Sequence, residues 1–123
     1  MSAVAAIIRT APYGKYTARA QFNIGRAREK QGQNDLAIAA YEAALRVFRE
    51  EDFPLYWANV QYNLGLAYAA LSGGEHAADL QKAKVCFEAA LRVYTKSGSP
   101  EDQRDIAAHL ANVERQLRNL TSE

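Results

Sequence analysis

A row of basic and amide side chains occupies one side of the first predicted helix. Arg19, Asn23, Arg26 and Lys30 recur at i, i+4, i+7 and i+11, which is one stripe along a helix. Guanidinium and ammonium groups pair with carboxylates. A side-chain amide donates and accepts hydrogen bonds at once, so it suits a peptide backbone. The stripe therefore predicts a surface for an extended or helical polypeptide segment that carries acidic residues.

The stripe returns twice along the chain with other side chains. The second row consists of Asn59, Asn63, Leu66 and Ala70, with Tyr62 beside it where the first copy has Phe22. The third row consists of Asp105, His109, Asn112 and Gln116. For the individual charges, the solubility of an exposed helix is the favoured interpretation. For Asn23 and Asn63 the binding role and the solubility role are evenly balanced, because Asn is a poor helix former and its recurrence at equivalent positions needs a reason.

Residues that support catalysis or metal binding form no recognisable group. Cys86 lies in the apolar stretch 85–87, where a thiol behaves as a small apolar group. His76 and His109 stand in different surroundings and lack a carboxylate at ligand spacing. A glycine-rich phosphate loop, a nucleophile elbow and paired carboxylates are missing from the sequence. We expect no enzyme activity, no metal and no cofactor.

The charge is balanced overall but uneven along the chain. The 123 residues carry 15 Lys or Arg and 14 Asp or Glu, a formal net charge of +1. Residues 1–34 hold six basic residues and one acidic residue, whereas residues 35–60 hold two basic and five acidic residues. Proteins that bind nucleic acid are strongly basic, so nucleic acid on the basic wall is the weakest alternative. A lone cysteine fits a reducing compartment, and no export or membrane segment is visible, so we expect a cytoplasmic protein.

Two blocks of the chain nearly repeat each other. A shift of 40 residues places Ala18, Gln21, Asn23, Gly25 and Ala27 on Ala58, Gln61, Asn63, Gly65 and Ala67. A shift of 46 residues places Ala37, Tyr41, Glu42, Ala43, Ala44, Leu45 and Arg46 on Ala83, Phe87, Glu88, Ala89, Ala90, Leu91 and Arg92. The difference is an insertion within 72–82. Such self-similarity predicts an all-α solenoid of stacked helical hairpins.

Apolar periodicity and turn residues predict the helices. They run over about 14–31, 35–50, 54–71 and 78–96, and a final helix occupies 99–120. Ser99 is expected to cap the final helix, with Pro100 at its first position. Its polar outer face suits the end of a solenoid.

The beginning of the chain falls in register with the end of a second helix. Residues 4–9 align with 44–49, which predicts a half-repeat helix over 2–10 or a segment cut from a longer array. Its apolar residues Val4, Ile7 and Ile8 are candidates for self-association, because an open solenoid end can stack on another copy. A single domain over 1–123 is expected, with repeat one at 13–50 and repeat two at 53–96.

The repeated small and aromatic positions resemble the tetratricopeptide repeat (TPR). The residues that carry the resemblance are Gly25, Ala37, Tyr41 and Ala44 in one copy and Gly65, Tyr68, Ala83, Phe87 and Ala90 in the other. Gln21 and Gln61 replace the early tryptophan, and the unit is about 40 residues rather than 34. The long unit is similar to the TPRs of kinesin light chains and of bacterial regulatory proteins. A HEAT-like array is the alternative fold.

The resemblance implies that first helices line a concave inner wall and bind a peptide or a partner segment. The groove residues are then Arg19, Phe22, Asn23, Arg26, Lys30, Asn59, Tyr62, Asn63, Leu66, His109 and Asn112. The carboxylate clamp of cochaperone TPRs is not matched, because Phe22 and Arg26 stand at its lysine and asparagine positions. The leading hypothesis is a protein-interaction module for a peptide with acidic residues, and the alternative is a self-assembling scaffold unit.

Overall fold

The structure, a computed structural model, describes residues 12–71 and 76–121. These residues form α1 (Pro12–Lys30), α2 (Asn34–Leu45), α3 (Pro54–Ala70), α4 (Ala77–Ser97) and α5 (Pro100–Thr121), without any strand in the described ranges. The all-α prediction is confirmed. The predicted half-repeat helix over 2–10, with Val4, Ile7 and Ile8, lies outside the described residues.

Each helix packs against the next one along the chain, so α1 with α2 and α3 with α4 form antiparallel hairpins. The fifth helix packs on α4, and α1 also contacts α3. Because the chain reverses at every turn, α1, α3 and α5 run in the same direction. Residues at one repeat phase therefore come side by side on these three helices.

The turn between α1 and α2 is built by a glycine. Gly32 has a φ of 76°, a left-handed conformation that side-chain-bearing residues rarely adopt. Its N–H donates to the Glu29 carbonyl at 2.9 Å, and the Gln33 N–H donates to the Arg28 carbonyl at 2.9 Å. This pair of bonds is a Schellman motif, which satisfies the last carbonyls of α1. The predicted helix stop at 31–34 is confirmed.

Each hairpin closes where a glycine of its first helix meets an aromatic ring of its second helix. A Cβ on Gly25 would lie 2.6 Å from Tyr41 Cδ1, and a Cβ on Gly65 would lie 2.7 Å from Phe87 Cε1. Both rings are fully buried. Burying a ring of this size stabilises a fold by about 1.5–3 kcal/mol. The repeated glycine and the repeated aromatic residue are thus one packing device used twice.

The core consists of two clusters that meet at Tyr68. The first surrounds Tyr41 and Phe48, and the second surrounds Phe87 and Ile106. Tyr68 packs against both clusters. The second hairpin therefore shares its core with the first hairpin on one side and with α5 on the other.

The second helix is shorter than predicted, because it ends at Leu45 rather than near Glu50. The N–H groups of Arg46 and Val47 donate three residues back, to the carbonyls of Ala43 and Ala44, and the chain then leaves the helix. This turn buries Phe48, whose ring stacks on Tyr56 at 4.8 Å between centroids. The sequence pattern alone did not indicate this turn.

The equivalent end of α4 remains helical to Ser97. The Gly98 N–H donates to the Tyr94 carbonyl at 2.8 Å, and a Cβ at position 98 would lie 2.8 Å from Tyr94 Cβ. The matching residue after α2 is Asp52, which has a Cβ. The close approach of the Tyr94 side chain to position 98 therefore suits glycine, which has no Cβ.

The start of α5 agrees with the predicted cap. The Asp102 N–H donates to Ser99 Oγ at 3.1 Å, and Ser99 Oγ donates to Asp102 Oδ2 at 2.7 Å. Ile106 and Val113 are buried, while much of the opposite face is exposed. Across the described residues, none of the helices combines the length and apolar content that a bilayer crossing requires.

Candidate functional site

The eleven predicted groove residues lie on the three parallel helices α1, α3 and α5. We define the α1–α3–α5 face by these residues, which are Arg19, Phe22, Asn23, Arg26, Lys30, Asn59, Tyr62, Asn63, Leu66, His109 and Asn112. Arg19, Asn59 and Asp105 occupy equivalent positions of the repeat on α1, α3 and α5. Asn23, Asn63 and His109 do so one helical turn later.

Exposure differs among the three helices of this face. The polar residues on α1 and α5, such as Arg19 and His109, are exposed. The four residues on α3 are only half-buried: Asn59, Tyr62, Asn63 and Leu66. The middle helix is therefore less accessible than the helices on either side of it.

Four of the predicted residues line one cavity between α1 and α3. This cavity, which we call the cleft, has a volume of about 120 Å³. Its lining is Arg19, Phe22, Asn23, Phe48, Tyr56, Asn59 and Val60. One guanidinium and two amides thus share a small space with three aromatic rings. A space of this size accommodates one apolar side chain with polar groups at its rim.

Aromatic rings with a lysine above them form one border of the cleft. Phe48 and Tyr56 stack with an interplanar angle of 11°, and Phe53 meets Phe48 edge-on at 5.5 Å. Lys15 Nζ lies 5.7 Å from the centroid of Phe53 and 5.9 Å from that of Tyr56. Both distances fit a cation–π contact. The Lys15 ammonium group therefore lies beside a ring that lines the cleft, and Lys15 itself is one helical turn before Arg19.

A second cation lies on the first aromatic ring of the face. The Arg26 guanidinium carbon is 5.9 Å from the Phe22 centroid, and Phe22 in turn lies 5.8 Å from the Tyr41 ring. The Tyr41 ring is the one that presses on Gly25. Hairpin packing therefore fixes the ring on which Arg26 rests.

The residues that make this packing also match a known family. The family model of the tetratricopeptide repeat matches residues 18–50, a segment that contains both Gly25 and Tyr41. The chain carries a tetratricopeptide repeat. Tetratricopeptide repeats generally mediate protein–protein interaction and are typically not enzymes. No curated protein and no solved structure matches this chain.

The family match distinguishes the two folds considered for a repeat of about 40 residues, the TPR and a HEAT-like array. It assigns the first hairpin to the TPR rather than to a HEAT-like array. The second hairpin repeats the same contacts, because the ring of Tyr62 lies 5.9 Å from that of Phe87, as Phe22 does from Tyr41. The likeness to kinesin light chain and bacterial regulatory TPRs stays a prediction.

The two asparagines of α3 are linked to each other. Asn63 Nδ2 donates to the Asn59 carbonyl at 2.8 Å and to Asn59 Oδ1 at 3.1 Å. These bonds hold both side chains in one orientation and leave Asn63 Oδ1 as an acceptor. Asn23, at the same phase on the TPR's first helix, is exposed at the rim of the cleft.

The far side of the face is aromatic and acidic. His109 lies 5.7 Å from Tyr62 and 5.8 Å from Phe87, ring centroid to ring centroid. Burial, together with the negative charges of Asp105 and Asp102, raises the pKa of the Tyr62 hydroxyl. Asp105 precedes His109 by one helical turn, so it lies on the side of α5 that meets Tyr62.

The remaining predicted residues lie at the edge of the face. Leu66 packs against the second core cluster, and Asn112 accepts a hydrogen bond from Arg115 on the same helix. Lys30, in the last turn of α1, is exposed. The cleft brings together Arg19, Phe22, Asn23 and Asn59, and it does not include these three.

Four residues around the cleft were missed by the sequence analysis. They are Lys15, Phe48, Tyr56 and Val60, none of which belongs to the predicted groove residues. Tyr56 precedes Asn59 by three positions and Asn63 by seven, so helical spacing already placed it on this face. For Phe48 no such signal exists, because it reaches the cleft through the turn after α2.

Trp57 lies away from the cleft and takes part in a link between hairpins. The Arg92 guanidinium carbon is 5.7 Å from the Trp57 ring, and its Nη1 and Nη2 donate to Glu50 at 2.7 and 2.9 Å. These hydrogen bonds lower the pKa of the Glu50 carboxyl. Trp57 itself packs against the second core cluster, which agrees with a packing role.

Cys86 is buried in the first core cluster, together with Tyr41 and Leu64. It is 6% exposed, and burial raises the pKa of its thiol to about 11. A protonated, buried thiol is a poor nucleophile. The residues described by the structure also hold no group of three or more His, Cys, Asp or Glu side chains suited to a metal ion.

Proposed function

We propose that this chain binds a segment of a partner protein on the α1–α3–α5 face and takes one of its side chains into the cleft. The observation that carries the proposal is the lining of the cleft. Arg19, Asn23 and Asn59 come from two repeats and meet around a small aromatic space. The half-buried α3 between exposed α1 and α5 supports a groove whose floor is α3.

The charges on α1 favour a partner segment with acidic residues. Lys15, Arg19, Arg26 and Lys30 follow one another along this helix, and two of them rest on aromatic rings. A cation held on a ring is already oriented, so less side-chain freedom is lost when a carboxylate binds. The charge of the partner thus sets the association rate and the orientation.

The amides favour an extended or helical backbone across the cleft. Asn63 Nδ2 donates to Asn59 Oδ1, so the orientation of the Asn59 side chain is set before a ligand binds. Asn23 faces it from the other side of the cleft. Such a pair can donate to one peptide carbonyl and accept from one peptide N–H.

The proposal is tested by panning a library of random dodecapeptides on the immobilised full chain and measuring the enriched peptides by fluorescence anisotropy. We expect Arg19→Gln and Asn59→Ala each to weaken an enriched peptide about 3- to 10-fold. The matched control is Arg46→Gln, which removes an exposed arginine at the end of α2 and should leave the affinity unchanged. Equal losses in Arg19→Gln and Arg46→Gln would contradict a site at the cleft.

Light scattering over a range of concentrations should accompany the binding assay. Self-association through Val4, Ile7 and Ile8, the alternative function, predicts a mass that rises with concentration and falls in the Ile7→Glu, Ile8→Glu variant. A constant monomer mass together with retained peptide binding would support peptide binding in the groove and contradict the scaffold alternative.

A further inference from the structure

The charge of the α1–α3–α5 face reverses from one side to the other. The first helix carries Lys15, Arg19, Arg26 and Lys30 on or beside this face. The 17 residues of α3 include no Asp, Glu, Lys or Arg. The first turns of α5 carry Asp102 and Asp105. A ligand lying across the three helices therefore passes from a cationic helix over a neutral one to an acidic one.

The reversal occurs at equivalent positions of the repeat. Arg19, Asn59 and Asp105 share one phase, and Tyr56 of the cleft corresponds to Asp102. A second cleft, the counterpart of the first, would be lined on α3 by Asn59 and Tyr62 and on α5 by the two aspartates. The ring of Tyr62 lies 5.7 Å from that of His109, which follows Asp105 by one helical turn, so this part of α3 lies next to the acidic part of α5. The cleft has an arginine at its rim, whereas the positions on α5 that are equivalent to Tyr56 and Asn59 hold two carboxylates.

The charges nearest the crossing point, those of Arg19, Asp102 and Asp105, have no oppositely charged partner in the described part of the fold. Among the residues that the structure describes, neither Arg19 nor Asp105 belongs to an ion pair, and Asp102 is bonded to the uncharged Ser99. The ion pair between Arg92 and Glu50 lies elsewhere, between α4 and the loop after α2. The cationic and the acidic side of the face are both available to a ligand.

We propose that the segment bound on this face is dipolar, with acidic residues on α1 and basic residues on α5, so that it lies in one direction only. This inference rests on the proposed function and names its ligand class. A uniformly acidic peptide or a nucleic acid would meet Asp102 and Asp105, and like charges in a groove cost affinity. A segment with both charge types satisfies both sides.

The direction of the segment is set by the order of the helices. The three helices are parallel, and Arg19 on α1 and Asp105 on α5 occupy the repeat position of Asn59 on α3, so the segment crosses α3 near Asn59. An uncharged part of the ligand then lies over the amide pair and the cleft. The expected pattern is an acidic end, an apolar anchor and a basic end.

The test is the same peptide panning, carried out on the chain and on the Asp102→Asn, Asp105→Asn variant. We expect wild-type binders to combine Asp or Glu at one end with Lys or Arg at the other. The variant should keep the acidic enrichment and lose the basic enrichment. It should bind wild-type binders about 4- to 25-fold more weakly, at about 2- to 5-fold for each of the two exposed pairs. The control is Glu88→Gln, which removes one exposed charge from α4. It should change neither the enrichment of charged residues nor the affinity for wild-type binders.

The outcomes separate this inference from the proposed function. Binders that are acidic throughout, or binders whose basic residues persist in the variant, overturn the dipolar ligand and leave the peptide site standing. An absence of any enrichment overturns both. A nitroxide placed at the acidic end of a binder should broaden amide resonances of α1, and one at the basic end those of α5; the reverse result overturns the direction.

Discussion

The hydroxyl of Tyr41 donates a hydrogen bond to Glu29 Oε1, across the turn that joins α1 and α2. Tyr41 is fully buried and Glu29 is half-buried. At the equivalent positions the second hairpin has Phe87 and Ala69. One hairpin thus uses a polar pair and the other an apolar pair for the same contact between helices.

The Tyr41→Phe variant should be destabilised because it leaves a half-buried carboxylate without its donor. We expect a loss of about 1–3 kcal/mol in the free energy of unfolding. The double variant Tyr41→Phe, Glu29→Ala recreates the pair of the second hairpin and should recover most of this loss. Urea unfolding followed by circular dichroism measures both. Additive losses in the double variant would show that the two side chains are not coupled.

The pH dependence of stability should carry a component from Glu29. Burial raises the pKa of its carboxyl above 4.5, against the lowering effects of the Tyr41 hydrogen bond and of Arg26. The folded state therefore binds the Glu29 proton more tightly than the unfolded chain does. This difference stabilises the folded state, and the contribution is complete below about pH 4.5. This contribution to stability is lost as the pH rises through the pKa that Glu29 has in the folded state.

The matched comparison is Glu29→Gln, which can still accept from Tyr41 and does not titrate. The stability of the wild type relative to this variant should fall as pH rises from about 4.5. Other carboxyls, such as that of Glu50, contribute equally to both proteins and cancel. Parallel pH profiles for the two proteins would contradict a raised pKa.

The helices and their packing were predictable because each rests on a local signal. The turn at Gly32 and the cap at Ser99 depend on residues within one helical turn of each other. The Gly25 and Tyr41 contact was recognisable because it recurs as Gly65 and Phe87. Contacts between residues that repeat in the sequence therefore repeat in the structure.

The cleft was predictable only in part, because part of it depends on a turn. Arg19, Asn23 and Asn59 followed from helical phase, whereas Phe48 enters the cleft because α2 ends early. The pentapeptides 44–48 and 90–94 are nearly identical and still take different backbone paths. The pentapeptide therefore does not determine its own backbone path. Outside it, Phe48 packs on Phe53 and Tyr56, and Gly98 stands where the first copy has Asp52.

The Gly98→Asp variant should therefore shorten α4, as Asp52 follows the shorter α2. A Cβ at position 98 would lie 2.8 Å from Tyr94 Cβ, a contact that only a change of backbone path can relieve. We expect faster amide hydrogen exchange at residues 95–97 and a slightly weaker helical signal. Ser97→Asp, one residue earlier at an exposed position, is the control. Unchanged exchange at 95–97 in Gly98→Asp would mean that glycine is not required there.

Gly65→Ala should destabilise the second hairpin although alanine is the better helix former. The new methyl group would lie 2.7 Å from Cε1 of Phe87, whose ring is fully buried in the second core cluster. Overpacking of this kind costs about 1–3 kcal/mol, against a gain of about 1 kcal/mol in helix propensity. The net change should be a lower urea midpoint with an unaltered slope. The control is to make Gly65→Ala in a Phe87→Leu variant, whose core has a smaller side chain at this contact. In that variant Gly65→Ala should lower the free energy of unfolding by less, or raise it. An equal loss with and without the Phe87→Leu change would show that the strain arises elsewhere.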